Sequence, residues 1–183
     1  PLHIASIFGH TPVIRYLLEN NALTNVQDSS GASPLHEAVR YGRYEIAQLL
    51  LQASADPNAR DNLGKTPILL IMPEEQRAQL YSLLLNKGAD ISVKDMYGDT
   101  VLHTATMTTV PVDILKTLVS AGADINARNK EGVTPLAIAI ENNVIDHIRF
   151  YADNSADINT KNTKGETPLI MALKSSENLL EII

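Results

Sequence analysis

Five histidines, at positions 3, 10, 36, 103 and 147, are the residues of this 183-residue chain best suited to metal binding or proton transfer. There is no cysteine, so a metal site would have to be built from imidazole and carboxylate. His36-Glu37 opens the pattern of a zinc-binding helix, but Arg40 stands where the second histidine of that pattern belongs. Acidic residues recur instead of clustering: Asp28, Asp61 and Asp95 are continued by Asn129 and Asn162. Carboxylates one packed helix apart, on the order of 10 Å, are too distant to act as an acid and base on one bond. Gly-x-Ser-x-Gly, phosphate-loop and dinucleotide patterns are also missing from the sequence. No catalytic residue, metal or cofactor is expected.

The elements that position these residues follow from a proline beat. Pro1, Pro34, Pro67, Val101, Pro135 and Pro168 are spaced by 33, 33, 34, 34 and 33 residues. Each after the first follows Ser or Thr, which suits a helix N-cap with proline in the first turn, where the missing N–H is not needed. Three residues before each beat stands Gly31, Gly64, Gly98, Gly132 or Gly165, and three residues before that the Asp or Asn. Asp-x-x-Gly is turn chemistry, since the carboxylate can bond turn amides and glycine accepts a positive φ.

Gly9, Gly42 and Asn143 predict a tight turn about eight residues after the beat, and a second apolar helix follows, as in Ile46 to Leu51 and Ile114 to Val119. Asn21, Ser54, Gly88, Gly122 and Ser155 are placed as the left-handed residue after that helix. The expected fold is an all-α repeat solenoid of stacked helix-turn-helix units joined by β-hairpin-like loops. The whole of 1–183 reads as a single repeat domain, with units starting near 1, 28, 61, 95, 129 and 162. Six helix pairs are predicted; the first lacks its preceding hairpin and the last is expected to stop at Ile183 inside its second helix, so both ends look cut.

The period and the Pro34-Leu35-His36-Glu37-Ala38 segment resemble the ankyrin repeat family, whose signature is Thr-Pro-Leu-His-x-Ala. The resemblance covers essentially the whole chain. It implies a noncatalytic scaffold that binds a protein or peptide along a concave face of first helices and hairpins. An alternative makes the array a regulatory or spacer segment of a larger enzyme or effector. His3, His36 and His103 share one repeat column, and each is expected to bond a nearby hydroxyl or a backbone group of the adjoining hairpin. Asn25, Asn58, Asn126 and Asn159, with Ser92 as the exception, are expected to bond loop backbone. The resemblance also implies that this column can be hydroxylated where the host has the enzyme.

Composition narrows the partners. The formal charge of −6 argues against phosphate-tracking nucleic-acid binding, which needs a clustered excess of Lys and Arg. No apolar run approaches the length of a membrane span, so direct insertion is not expected. Aromatic residues make up only 4% of the chain, so the core must be aliphatic, which suits closely packed helices. A monomer is expected. The sequence favours a soluble, cytoplasmic chain over a secreted one without settling the compartment.

In ankyrin repeats, recognition uses the residues between Asp and Gly, the residue after Gly, and the exposed end of the first helix. Carried onto this chain, the first two groups are Ser29, Ser30 and Ala32; Asn62, Leu63 and Lys65; Met96, Tyr97 and Asp99; Lys130, Glu131 and Val133; and Thr163, Lys164 and Glu166. The helix ends add Ile7, Phe8, Arg40, Tyr41, Thr106, Met107, Glu141 and Asn142. Phe8, Arg40, Tyr41, Leu63, Met96 and Tyr97 are the expected anchors, because exposed aromatics and Arg dominate interface energetics. Lys65, Met107, Lys130 and Glu141 complete the predicted contact set. Lys130, Lys161 and Lys164 could meet an acidic partner, although a solvated charged face is the ordinary reading.

Three departures from the repeat stand out. Units three and four each carry an extra residue between their helices, with Pro73 and Pro111 expected to interrupt the first helix and widen the turn. In unit five Tyr151 and Ala152 replace paired leucines, predicting a soft joint to the next unit.

Overall fold

The computed structural model describes residues 1–72 and 78–180, with side chains as far as Lys174. Ten α-helices and one 3-10 helix form the described residues, which contain no strand. Helices α1 (Leu2–Phe8), α3 (Pro34–Arg40), α6 (Val101–Met107) and α8 (Pro135–Glu141) each begin at or next to the beat, as does the 3-10 helix Pro67–Leu70. The second helices are α2 (Thr11–Glu19), α4 (Tyr44–Gln52), α5 (Ala78–Asn86), α7 (Val112–Ser120) and α9 (Ile145–Asp153). The sixth unit is one continuous helix, α10 (Pro168–Leu180), in place of the expected pair.

The chain forms two compact units, 1–96 and 97–183. In the first, α1 packs on α3 and α3 on the 3-10 helix, while α2 packs on α4 and α4 on α5. The second repeats the scheme: α6 lies on α8, α8 on α10, and α7 on α9. Leu35, Ala38, Ile46 and Leu50 are fully enclosed in one core, and Leu102, Ala105, Leu115 and Leu118 in the other. Each buried Leu or Ile contributes roughly 1.5–3 kcal/mol. The helices are short, so packing of this kind, more than helix propensity, holds them.

All the turn residues expected to be left-handed are so, including the non-glycines Asn21, Ser54, Asn143 and Ser155. The two prolines of the extra turn residues behave differently. In unit three the first helix is a single 3-10 turn that gives way to extended backbone at Ile71. Pro73 to Gln76 lie outside the described residues. In unit four the expected interruption does not occur. Helix α6 keeps its seven residues, Thr109 turns the chain at φ 51°, and Pro111 becomes the N-cap of α7. Proline needs no N–H at that boundary.

The turn of unit four is also held from unit five. His147, at the position of Ile46 and Ile114 in their repeats, donates from Nε2 to the Val110 carbonyl at 2.6 Å. Its Nδ1 is buried without a partner. One turn further on, Tyr151 is 0% exposed and its hydroxyl lies 2.6 Å from Thr106 Oγ1. Thr106 already donates to the Leu102 carbonyl at 2.7 Å, so the tyrosine O–H is the donor between them. Burial pushes the Tyr151 phenol's pKa up, with the Thr106 bond opposing. The tyrosine therefore replaces the leucine of its column by a larger buried group with a polar tie back to unit four, while Ala152, Asp153 and Asn154, which follow it on the side of the expected soft joint to unit six, are exposed. The amides of Asn154, Ser155 and Ala156 are bonded as well, closing the end of α9.

Candidate functional site

The hairpin-like loops are assembled around their Asp and Asn residues. Asp61 Oδ1 accepts from the Leu63 and Lys65 amides at 2.9 and 2.8 Å, and Asn129 Oδ1 from Glu131 and Val133 at 3.0 Å. Asp28 is held below the ordinary carboxylate pKa first by the Ser30 hydroxyl and then by the Ser30 and Ala32 amides, against the effect of burial. Loop tips bond one another in sequence. Asn62 N–H donates to Ser30 O and Met96 N–H to Leu63 O in the first unit, and Lys130 N–H to Tyr97 O and Thr163 N–H to Glu131 O in the second. This close approach explains Gly31, where an added Cβ would lie 2.7 Å from the Asn62 backbone nitrogen.

Histidines tie the helices to these loops. The Ser33 amide donates to His36 Nδ1 at 3.0 Å, and Nε2 donates to the Lys65 carbonyl at 3.1 Å. His103 does the same between Thr100 and Val133, and His3 Nε2 reaches Ala32 O at 2.9 Å. Desolvation lowers the pKa of His36 first, followed by smaller opposing influences of nearby groups. A neutral ring with Nδ1 as acceptor and Nε2–H as donor is the form that satisfies both bonds. The histidine column therefore acts as expected, as a framework element.

The Asn column also bonds backbone, and it reaches into the following repeat. Asn58 Oδ1 accepts from Asp90 N–H at 2.7 Å while its amide donates to Gly88 O at 2.8 Å, and Asn126 Oδ1 accepts from Asp157 N–H. Ser92 turns its hydroxyl to Asp90 in its own loop.

With these groups committed to the framework, the expected contact residues can be placed. Phe8 ends α1 and is 61% exposed, Tyr41 caps α3, and Leu63 and Met96 are exposed at neighbouring loop tips of the first unit. Arg40 is half-buried and pairs with the buried Glu37 at 3.3 Å. Lys65 is half-buried, with its ammonium 3.9 Å from Asp95. In the second unit Tyr97 is 54% exposed at a tip, Met107 is exposed at the end of α6, and Lys130 and Glu141 are exposed.

Two expectations fail. The residue after glycine is buried in three units, at Ala32, Asp99 and Val133, and half-buried at Lys65 and Glu166. The backbone of Ala32 and Val133 belongs to the framework, the amide donating to the loop Asp or Asn and the carbonyl accepting from the first residue of the same loop and from a histidine. Thr106, placed at an exposed helix end, is also fully buried because it occupies the column of Val39; Met107 is the true counterpart of Arg40.

In the second unit the predicted positions converge on a cavity of about 570 Å³. Loop residues Glu131, Thr163 and Lys164 form one side, and Glu141 at the end of α8 and Lys174 on α10 contribute the other. Val133 and Met171 supply its apolar surface, with Met171 packed against the buried cluster of Val133, Ala137 and Ile138. Asn162 and Glu166 complete the lining; Lys130 is not part of it. Lys174 and the Asn162 amide both bond the Glu166 carboxylate, and the Lys174 bond leads in holding it below the ordinary carboxylate pKa. Met171 and Lys174 were missed from sequence. Lys174 nevertheless shares the column of Arg40, Met107 and Glu141, and Met171 lies one turn before it on the same helix face.

Among the described residues no three His, Asp or Glu side chains converge as metal ligands, and no helix is long and apolar enough to cross a membrane. Comparison with curated proteins finds no match. The model of the family described as ankyrin repeats matches in three copies, over residues 1–61, 54–129 and 110–183. With that coverage, the proline-started helix pairs and the histidine-anchored loops, the chain belongs to the ankyrin repeat family.

Proposed function

We propose that the chain is a noncatalytic scaffold that binds a protein or peptide on the face formed by its first helices and hairpin tips. Ankyrin repeats are protein-interaction modules in general, and the finer reading rests on one observation. Large apolar side chains remain exposed at loop tips and helix ends, with Phe8, Tyr41, Leu63 and Met96 in the first unit and Tyr97 and Met107 in the second. Isolated exposed apolar residues are ordinary, but recurrence at loop-tip and helix-end columns is what a recognition surface requires.

The test is affinity capture with the chain as bait, followed by calorimetric titration of the captured partner. Tyr41→Ala combined with Tyr97→Ala is expected to weaken binding at least about tenfold, as loss of aromatic anchors does. Unchanged affinity would refute the assignment of these anchors.

A further inference from the structure

We infer that the cavity between the last two hairpin tips receives a basic side chain, Lys or Arg, of a bound peptide. This deepens the scaffold reading and rests on it. Lys174 is engaged by Glu166, whose carboxylate also accepts from Asn162, so these groups satisfy one another. Glu131 and Glu141 are exposed and form no ion pair among the described residues, leaving two carboxylates to face the cavity with the single ammonium of Lys164.

Met171 and Val133 add an apolar surface beside those carboxylates. A Lys or Arg side chain matches that combination, with a methylene stem to lie on Met171 and a cationic head to reach the carboxylates. A guanidinium adds the possibility of two parallel bonds to one carboxylate. An acidic side chain would find only Lys164 and would meet Glu131 and Glu141 as like charges. The chain's overall charge of −6 works in the same direction, favouring approach of a basic segment.

The chain contains four methionines, and labelled methyl groups make Met171 a reporter with Met72, Met96 and Met107 as internal controls. Acetylated and amidated Gly-Ser-Xaa-Ser-Gly peptides, with Xaa as Arg, Lys, norleucine or Glu, are titrated at low salt into the full chain. The Arg and Lys peptides are expected to move the Met171 methyl saturably, with the other three methyls nearly still and the effect reduced by added salt. Glu131→Gln with Glu141→Gln is expected to weaken that binding about twofold to fivefold, the range that exposed ion pairs support. Lys164→Gln is expected to strengthen it by removing a like charge.

Equal response to norleucine would overturn the basic preference while leaving a groove that binds peptide. A larger response to the Glu peptide, or a still Met171 with every peptide, would also overturn the inference. None of these outcomes bears on the separate Tyr41 and Tyr97 test, so the two readings can fail independently.

Discussion

Replacing Thr106 by Val should destabilise the second unit more than replacing Tyr151 by Phe, although both changes delete the same hydrogen bond. Both residues are fully buried, their oxygens are 2.6 Å apart, and Thr106 spends its proton on Leu102. Tyr151→Phe removes a donor and leaves Thr106 with its helical bond, so the loss is about 0.5–1.5 kcal/mol. Thr106→Val leaves the tyrosine O–H enclosed without an acceptor, which costs about 1–3 kcal/mol. In the double variant both sites are apolar, so its loss should fall short of the sum by about 1 kcal/mol.

Equilibrium urea unfolding followed by helical circular dichroism measures all three variants. With a slope of about 1–3 kcal/mol per molar, Thr106→Val should lower the midpoint by roughly 1 M. Energies that add to within about 0.5 kcal/mol would show that the two hydroxyls are not coupled. A Thr106→Val variant no less stable than the Tyr151→Phe variant would show that the tyrosine finds another acceptor. Either result refutes the polar tie between units four and five.

Two further outcomes are expected. Thr109 is a β-branched residue at φ 51°; Thr109→Gly should raise the urea midpoint, because left-handed backbone costs a non-glycine about 1–2 kcal/mol and glycine gives back about 0.4–1 kcal/mol through the unfolded state. A lower midpoint would show that the threonine is held there by more than chain direction. For His36 the folded pKa lies below the ordinary 6.5, first through desolvation, so stability is full above pH 6.5 and declines as pH falls toward the folded value, where only the unfolded chain takes up the proton. Imidazole resonances followed by NMR should give a His36 midpoint below 6.5, and His36→Asn should flatten the pH dependence of the urea midpoint across that window; a midpoint at or above 6.5 contradicts the neutral ring.

The repeat was legible because its strongest signals are local. Proline after Ser or Thr and Asp three residues before glycine each specify backbone geometry within a few residues, so helix starts and loop conformations could be read directly. Even the left-handed Asn21, Ser54 and Ser155 followed from their place in a column. The contact set was legible only as columns. Extending the Arg40 column to Lys174 would have found one more cavity residue, and a register slip of one put buried Thr106 in place of Thr108.

By itself, the sequence determined the period, the helix-turn-helix unit, the loops and the framework role of the recurring histidines. Tertiary structure decided which side chains remain available. It buried Ala32, Asp99 and Val133, gave Pro111 a capping role, tied Tyr151 to a threonine 45 positions away, and set Glu131, Glu141 and Met171 around one cavity. The physical reason is range: a turn or a cap depends on neighbours along the chain, whereas burial, pairing and the charge left exposed in a groove depend on groups a repeat or more apart.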